Sequence, residues 1–481
     1  MAGRYLQGKG HATQAVPGLM RRIFMGTLAA AALVCAQPCL AAGTHGPAPT
    51  LAWGIPFVGL LLSIAIFPLV APRLWHHRMG AVALLWTLGL LIPQAILQGT
   101  VLAAAATWHA ILLEYLPFVA LLLALFTAGG GILLEGGPWG TPAGNTLLLA
   151  IGIVLAGVMG TTGVSMVLIH PLLRSNAHRR RRVHLVVFFI ILCANAGGIT
   201  SPLGDPPLYI GFLRGVPFGW PLANLLMPLL VLALPLLVVF FGLDTILSRG
   251  EPRPARSNRL RLRGGANLAL IAIVVACVLA QGMWHPGMWT LFSQNIEIER
   301  LLGMLVLLAV ALASWLITPH EIRARNLFTW EPMLEVGKLF AAIFVTIGPV
   351  LLMLGAGRDG PLSALLDVTM DAAGQPHPMA YFWMAGTLAA VLDNAPTYLV
   401  FFQLAGDDAT RLTGELAPVL RGLSAGAVFF GGLTYIGNAP NMMVRSIAAH
   451  RGIEMPSFFA YTGWACLLLL PMFGLLTLIL A

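Results

Sequence analysis

Two carboxylates lie inside runs of otherwise apolar residues. Asp205 stands in Gly204-Asp205-Pro206-Pro207, and Asp393 in Leu392-Asp393-Asn394-Ala395-Pro396-Thr397. Short hydrogen-bonding residues accompany them: Thr161, Thr162 and Ser165 in one stretch, Asn195 and Thr200 in another, then Asn394, Thr397, Thr434 and Asn438. A carboxylate in apolar surroundings can hold a proton or a small cation, because burial disfavours its bare charge and a bound cation restores it. The Gly and Pro residues beside these groups break helices, and a helix broken in lipid frees carbonyls and N–H groups that can coordinate ions. Thr161, Thr162, Ser165, Asn195, Thr200, Asp205, Asp393, Asn394, Thr397, Thr434 and Asn438 are therefore the candidate ion- or substrate-binding set. Asp205, Asp393, Asn394 and Asn438 are its candidate Na⁺ ligands. For Asp205 a helix N-cap is the competing reading, since Pro-Pro follows. Asp393 shows no obvious cap geometry, with Pro396 three residues on.

The surroundings of these residues occur twice. Gly197-Gly198-Ile199-Thr200 followed by Gly204-Asp205-Pro206-Pro207 returns as Gly431-Gly432-Leu433-Thr434 followed by Gly437-Asn438-Ala439-Pro440. The offset is 234 residues for the first part and 233 for the second. Thr161 to Asp393, Thr162 to Asn394, Ser165 to Thr397 and Pro117 to Pro349 are each 232 apart. Ordered landmarks at one offset, near half the chain length, predict an internal repeat. A polar, helix-breaking patch in each copy is the pattern of a secondary transporter's binding site.

Composition sets the class. Of 481 residues, 58% are apolar and only 9% charged, with mean hydropathy +0.86. A soluble domain is about one-quarter charged, so this chain is an integral membrane protein. Its apolar runs have helix-spanning length rather than the short alternation of a β-barrel. The net charge of +9 resides largely in arginines of short loops, which suits loops facing anionic lipid rather than nucleic acid. Cys35, Cys39, Cys193, Cys277 and Cys466 form no CxxC pair, so neither a disulfide framework nor a metal site is expected. No HExxH occurs, no GxSxG-like nucleophile paired with a buried His is expected, and His76-His77 lie in a loop without a matching acid, so an intramembrane enzyme is not expected.

The elements that must position the polar set follow from hydropathy and loop charge. Residues 1–42 read as a leader, with Arg21-Arg22, an apolar run from Ile23 to Cys35 and small residues at Ala41-Ala42; Met20 is a second candidate start. Ten spans are expected near 52–71, 79–97, 113–134, 183–217, 220–247, 266–284, 299–318, 334–356, 418–451 and 459–480, with 183–217 and 418–451 broken at the glycine-rich patches. Two further runs, 144–174 and 380–404, are expected to be re-entrant hairpins with tips at Gly160–Gly163 and Asp393–Thr397. The arginine-rich loops then all fall on one side. The expected fold class is an all-α polytopic membrane protein of two inverted repeats, 52–247 and 266–481, joined by a basic linker at 248–265. Each repeat has five transmembrane helices plus one re-entrant hairpin, with discontinuous helices. The first copy carries its acid in the broken helix, the second in the hairpin.

The stretch from Asn195 through Gly-Gly-Ile-Thr-Ser-Pro-Leu-Gly-Asp-Pro-Pro to Phe212 resembles the signature of NhaD-type sodium/proton antiporters and of the related citrate transporter family. Leu392–Tyr398 and Tyr435–Met443 are similar to the matching second-half signatures. Both groups belong to the ion transporter superfamily, and the resemblance covers nearly the whole chain after the leader. It implies a homodimer in the lipid bilayer, a bacterial-type inner-membrane setting, and elevator-type movement of a transport part against a scaffold. It implies sodium/proton antiport or, alternatively, cation-coupled citrate or dicarboxylate carriage. Carboxylate carriers of the superfamily have Ser-Asn-Thr at their hairpin tips, where this chain has Thr161-Thr162-Gly163 and Asp393-Asn394-Ala395. Two acids and no base within the signatures favour a cation; nearby positive charge comes only from Arg214 and helix N-termini. No cofactor beyond transported or coupling Na⁺ and H⁺ is expected, and no nucleic-acid partner.

Overall fold

The computed structural model describes residues 50–137, 139–252, 259–291, 294–371 and 374–480. The leader over 1–42, and Arg253 and Arg256 of the linker, lie outside the described residues.

Apolar runs become helices because a chain in lipid must satisfy its backbone groups internally. The first half comprises α1 (Ile55–Val70), α2 (Pro72–Leu97), α3 (Thr100–His109), α4 (Leu116–Gly130), α5 (Pro142–Ser175), α6 (Val183–Leu192), α7 (Pro206–Leu213) and α8 (Trp220–Leu247). The second comprises α9 (Ala266–Gln281), α10 (Ile298–Ile317), α11 (His320–Arg325), α12 (Glu331–Gly355), α13 (Ser363–Thr369), α14 (Pro378–Leu392), α15 (Asn394–Leu404), α16 (Ala409–Thr413), α17 (Ala417–Phe430), α18 (Ala439–His450) and α19 (Phe458–Leu480). Strands among the described residues form two short antiparallel pairs, β1 (Leu133–Glu135) with β2 (Arg261–Arg263) and β3 (Met288–Leu291) with β4 (Gln294–Glu297).

Nine helical stretches among the described residues have the length and apolarity to span a bilayer. The protein is thus a polytopic, nearly all-helical membrane protein. Three boundaries differ from the sequence reading. The third span starts at Thr100, not near 113, because a π-helical turn over Ala110–Tyr115 carries α3 into α4. That wider turn lies just ahead of Pro117, whose ring would otherwise press on the preceding turn. The run expected at 266–284 is a helix of 16 residues ending at Gln281. The third is the stretch around His76-His77, expected as a loop, which is helical within α2; α5, expected as a re-entrant hairpin over 144–174, does fold back on itself.

The reversal of α5 is visible in its hydrogen bonds. Asn145 Nδ2 donates to Asn176 Oδ1 at 3.1 Å, yet along a straight helix these residues would stand roughly 45 Å apart. The break is at Gly160, whose φ of 77° and ψ of 154° belong to glycine's range. The arms α14 and α15 make the second hairpin, with Tyr381 and Phe401 in ring contact at 6.0 Å.

Contacts between distant loops sort the ends of the helices into two faces. On the arginine-rich face β1 pairs with β2, His76 Nε2 lies 3.2 Å from Glu331, and Arg182 donates to the Gly452 carbonyl. On the other face Arg214 binds Glu114 and Asp407, His109 meets Gln294, and Arg300 donates to the Leu213 carbonyl. Each contact joins segments expected on the same side from loop charge. His76 also faces Glu335 at 3.8 Å, so the His76-His77 stretch, in the first turns of α2, does have matching acids, supplied from α12 across 255 residues of sequence or more.

The centre of the bundle is α6, apolar on all sides and buried from His184 to Leu192. Only 11% of the apolar window of α2 is buried, against 89% for the stretch containing α6, so α2 is peripheral and α6 packs against protein all round. At the base of the first hairpin Asp244 of α8, fully buried, receives Arg179 Nη1 at 2.5 Å and Asn145 Nδ2 at 2.9 Å, with His184 Nε2 also at 2.9 Å. A buried ion pair with its remaining lone pairs satisfied fixes geometry more than it adds stability. Here it locks the hairpin to α6 and α8.

Candidate functional site

Both broken helices unwind at their glycine-rich patches. The chain leaves α6, makes a 3₁₀ turn over Ala196–Thr200 and restarts as α7; it leaves α17, makes a 3₁₀ turn over Gly431–Leu433 and restarts as α18. Backbone segments cross at near contact within each unwound loop. A Cβ on Gly204 would stand 2.0 Å from the Gly198 carbonyl oxygen, and one on Gly437 2.7 Å from that of Gly431.

The local geometry repeats at one offset, 233. Gly160 and Asp393 share a left-handed extended conformation, φ 77° and 81°. Asp205 and Asn438 occupy the same extended N-cap position of α7 and α18, φ −145° and −155°. Ser201 Oγ donates to the Gly157 carbonyl and accepts from Leu203 N; Thr434 Oγ1 donates to the Ala390 carbonyl and accepts from Ile436 N. The structural counterpart of Thr434 is therefore Ser201, not Thr200, and that of Asp393 is Gly160, not Thr161. Sequence letters alone slid by one residue, because Thr-to-Thr and polar-to-polar matches outweigh the backbone's own register.

The repeat brings a set of neutral donors onto one acid. Asp205, 2% exposed, accepts from Thr161 Oγ1 at 3.2 Å, Asn394 Nδ2 at 2.5 Å and Asn438 Nδ2 at 3.0 Å. These donors come from the first hairpin, the second hairpin and the second broken helix. Asn195 joins the cluster by accepting from Asn438 Nδ2 at 3.2 Å and donating to Asn441 Oδ1 at 2.8 Å. Among the described residues no basic side chain is paired with Asp205 or Asp393. Asn394 Oδ1 is buried without a hydrogen-bond partner among them, a lone-pair oxygen next to a buried carboxylate.

The cap readings for the two acids exchange places. Asp205 sits at an N-cap position but its side chain makes no cap bond, because three donors from other elements draw the carboxylate away. Asp393 does cap, accepting from Ala395 N at 3.3 Å. It is half-buried at the hairpin tip and holds a backbone conformation its counterpart reserves for glycine. A non-glycine residue there carries strain of about 1–3 kcal/mol, which persists only when the surroundings impose it.

The remaining candidates serve in other ways. Thr162, half-buried, lines a cleft that reaches Gly160, Thr161 and Asp205 between α4 and the first turns of α12, at Pro332, Met333 and Val336. Thr397 Oγ1 donates back to the Asp393 carbonyl at 2.8 Å, and Thr434 pins its unwound loop. Ser165 is fully buried without a hydrogen-bond partner among the described residues, and Thr200 packs its hydroxyl over Gly157. Neither touches the Asp205 cluster. Asn441 was not among the candidates; its Nδ2 donates to the carbonyls of Gly431 and Thr434, so it braces the second unwound loop. Its counterpart at the 233 offset is Leu208, so the repeat gave it no signal. Asp244 was missed too, although a lone acid in an apolar run is itself a signal.

Two hairpin tips and two broken helices converging on a buried acid within a membrane bundle are the parts of a membrane transporter, not of an enzyme. The chain belongs to the family described as "Putative citrate transport", which matches residues 47–481. It is also similar to an uncharacterised transporter of Mycobacterium bovis and to one of Mycobacterium tuberculosis, each 24% identical over 353 residues, spanning 67% of this chain and 73% of theirs.

Proposed function

We propose that the protein exchanges Na⁺ or Li⁺ for H⁺ across a bacterial-type inner membrane, with Asp205 as the group for which the two ions compete. The observation that carries this reading is the shell of Asp205: a buried carboxylate met by amide and hydroxyl groups alone. Such a carboxylate is stabilised either by a proton or by a small cation, and the two exclude each other. Rotation of Thr161 and of the Asn394 and Asn438 amides would turn oxygen toward a cation, and Asn394 Oδ1 already has a free lone pair. Asp393 adds a second acid one residue away from Asn394.

The same geometry speaks against a citrate site at this point. A tri-anion asks for fixed positive charge, and Arg214 is bound by Glu114 at 2.9 Å and Asp407 at 2.8 Å, at the far end of α7. The family's description is what favours the second reading, a cation-coupled citrate or dicarboxylate carrier. In that case the Asp205 cluster would hold the coupling ion.

Hairpins whose bases sit on opposite faces, one beside Asp244 and one beside Asp407, suit elevator-type alternating access in a homodimer. The test is cation-induced dequenching of a respiration-driven proton gradient in everted vesicles, run with Na⁺, Li⁺, K⁺ and citrate. Na⁺- or Li⁺-dependent dequenching that Asp205→Asn abolishes supports antiport. Citrate uptake with no cation-induced dequenching overturns it.

A further inference from the structure

A basic cleft on the arginine-rich face belongs to none of the chemistry above. It has a volume of about 470 Å³ and is lined by Arg174, Ala324, Arg325, Leu327, His450 and Arg451. Three separate pieces of chain supply its arginines: the second arm of α5, the last residue of α11, and the residue following α18. Arg451 and Arg325 both act electrostatically on Arg174, opposed by Glu135. Like charges brought together across a concavity repel unless an anion lies between them.

The local carboxylates do not balance them. Arg174 donates to the Leu134 carbonyl at 2.7 Å, which carries no charge. Arg325 pairs with Glu135 and, at 3.4 Å, with Glu321, but Glu321 is also held by Arg263 at 3.0 Å. Arg451 Nε is buried without a hydrogen-bond partner among the described residues. Two carboxylates thus serve four guanidinium groups. Ordinary loop arginines reach into solvent singly; these converge from three elements on one cleft.

We propose that this cleft binds a phosphate-bearing anion, either an anionic phospholipid headgroup or free phosphate, through Arg174, Arg325 and Arg451. Arginine suits phosphate through its paired N–H donors. The site joins elements that contact Asp205 to one that does not. The arm of α5 that carries Arg174 begins at Thr161, and the helix α18 that ends before Arg451 starts after Asn438. Both Thr161 and Asn438 donate to Asp205, whereas Arg325 lies on the connection to α12. Beneath the cleft His170 Nε2 lies 2.9 Å from the Asn326 carbonyl, so arm and connection are already in contact here. A bound anion ties the two elements that donate to Asp205 to that connection.

The test uses the full-length purified protein and reads melting temperature, so it is independent of what is transported. In detergent, sodium phosphate is compared with sodium chloride at equal ionic strength. In nanodiscs, phosphatidylcholine alone is compared with phosphatidylcholine plus phosphatidylglycerol. A rise of about 2–4 °C with phosphate assigns free phosphate, and with phosphatidylglycerol only, a lipid headgroup. In either case the rise must disappear in R325Q/R451Q, persist in R325K/R451K, and persist in R78Q, an exposed arginine of α2. If the double glutamine variant cannot be purified, Arg451→Gln alone is read in the same way. No rise in either arm, or a rise undiminished by the glutamine substitutions, overturns the proposal.

Discussion

Asn394 Nδ2 lies 2.5 Å from Asp205 Oδ2, joining residues 189 apart in sequence and belonging to different halves of the chain. The bond ties the tip of the second hairpin to the first broken helix. Any movement that separates those elements must break it, and any cation held by Asp205 must compete with it. The acid and the amide therefore act as one unit, with Thr161 and Asn438 completing the shell.

Removing the charge and removing the side chain at Asp205 should give different results. Asp205→Asn keeps a polar group of the same size, as Asn438 does at the equivalent position, and is expected to fold while losing cation-induced dequenching. Asp205→Ala strands the donors of Thr161, Asn394 and Asn438. Each buried unpaired donor costs about 1–3 kcal/mol, so this variant should melt well below wild type. Equal melting of the two variants would remove Asp205 from the centre of the network.

At Asp393 the expectation runs the other way for the smallest residue. Glycine occupies the equivalent backbone conformation at Gly160. Asp393→Gly should therefore melt at or near the wild-type temperature while losing transport. Asp393→Ala, which loses the same cap on Ala395 as the glycine variant but keeps the strained conformation, should be destabilised by about 1–3 kcal/mol relative to it. Transport that survives in Asp393→Gly would leave this acid a purely structural cap.

Backbone crossing in the first unwound loop leaves no room for a methyl group. Gly204→Ala places Cβ 2.0 Å from a backbone oxygen, and neither partner is a side chain that can rotate away. Loss of folded protein, read by size exclusion after extraction, is expected. Gly474→Ala, where a Cβ meets nothing within 4 Å, should behave as wild type.

Water access distinguishes the two hairpin tips in this conformation. Thr162→Cys lines the cleft beside α12 and should react with a membrane-impermeant thiol reagent added from the arginine-rich face. Asn394→Cys, fully buried, should react far more slowly. Matching rates would mean that the cleft is not the route to Asp205.

Competition for one carboxylate also fixes the sign of the pH dependence. A protonated Asp205 cannot hold Na⁺, so acidification must raise the Na⁺ concentration needed for half-maximal dequenching. For one-for-one exchange the increase approaches about tenfold per pH unit. A half-maximal concentration independent of pH would separate the proton from the cation site.

Much of this protein was legible from residue types alone. The membrane class, the two breaks, the hairpins and the same-sided loops follow from local physics: apolar length, helix-breaking Gly and Pro, and loop arginines are all read along the chain. The boundary at Thr100 was hidden because a π turn has no composition of its own. The cap roles of Asp205 and Asp393 could not be read correctly, since an N-cap position predicts where a side chain starts and not which donors reach it. Those donors arrive from 44, 189 and 233 residues away. The pairing of Thr434 with Ser201 was likewise decided by backbone register, which two similar letters side by side cannot reveal. The sequence by itself determined that two polar breaks exist in a membrane bundle. Only the tertiary structure decided that they share one acid, because hydrogen bonds across halves depend on how the hairpins dock.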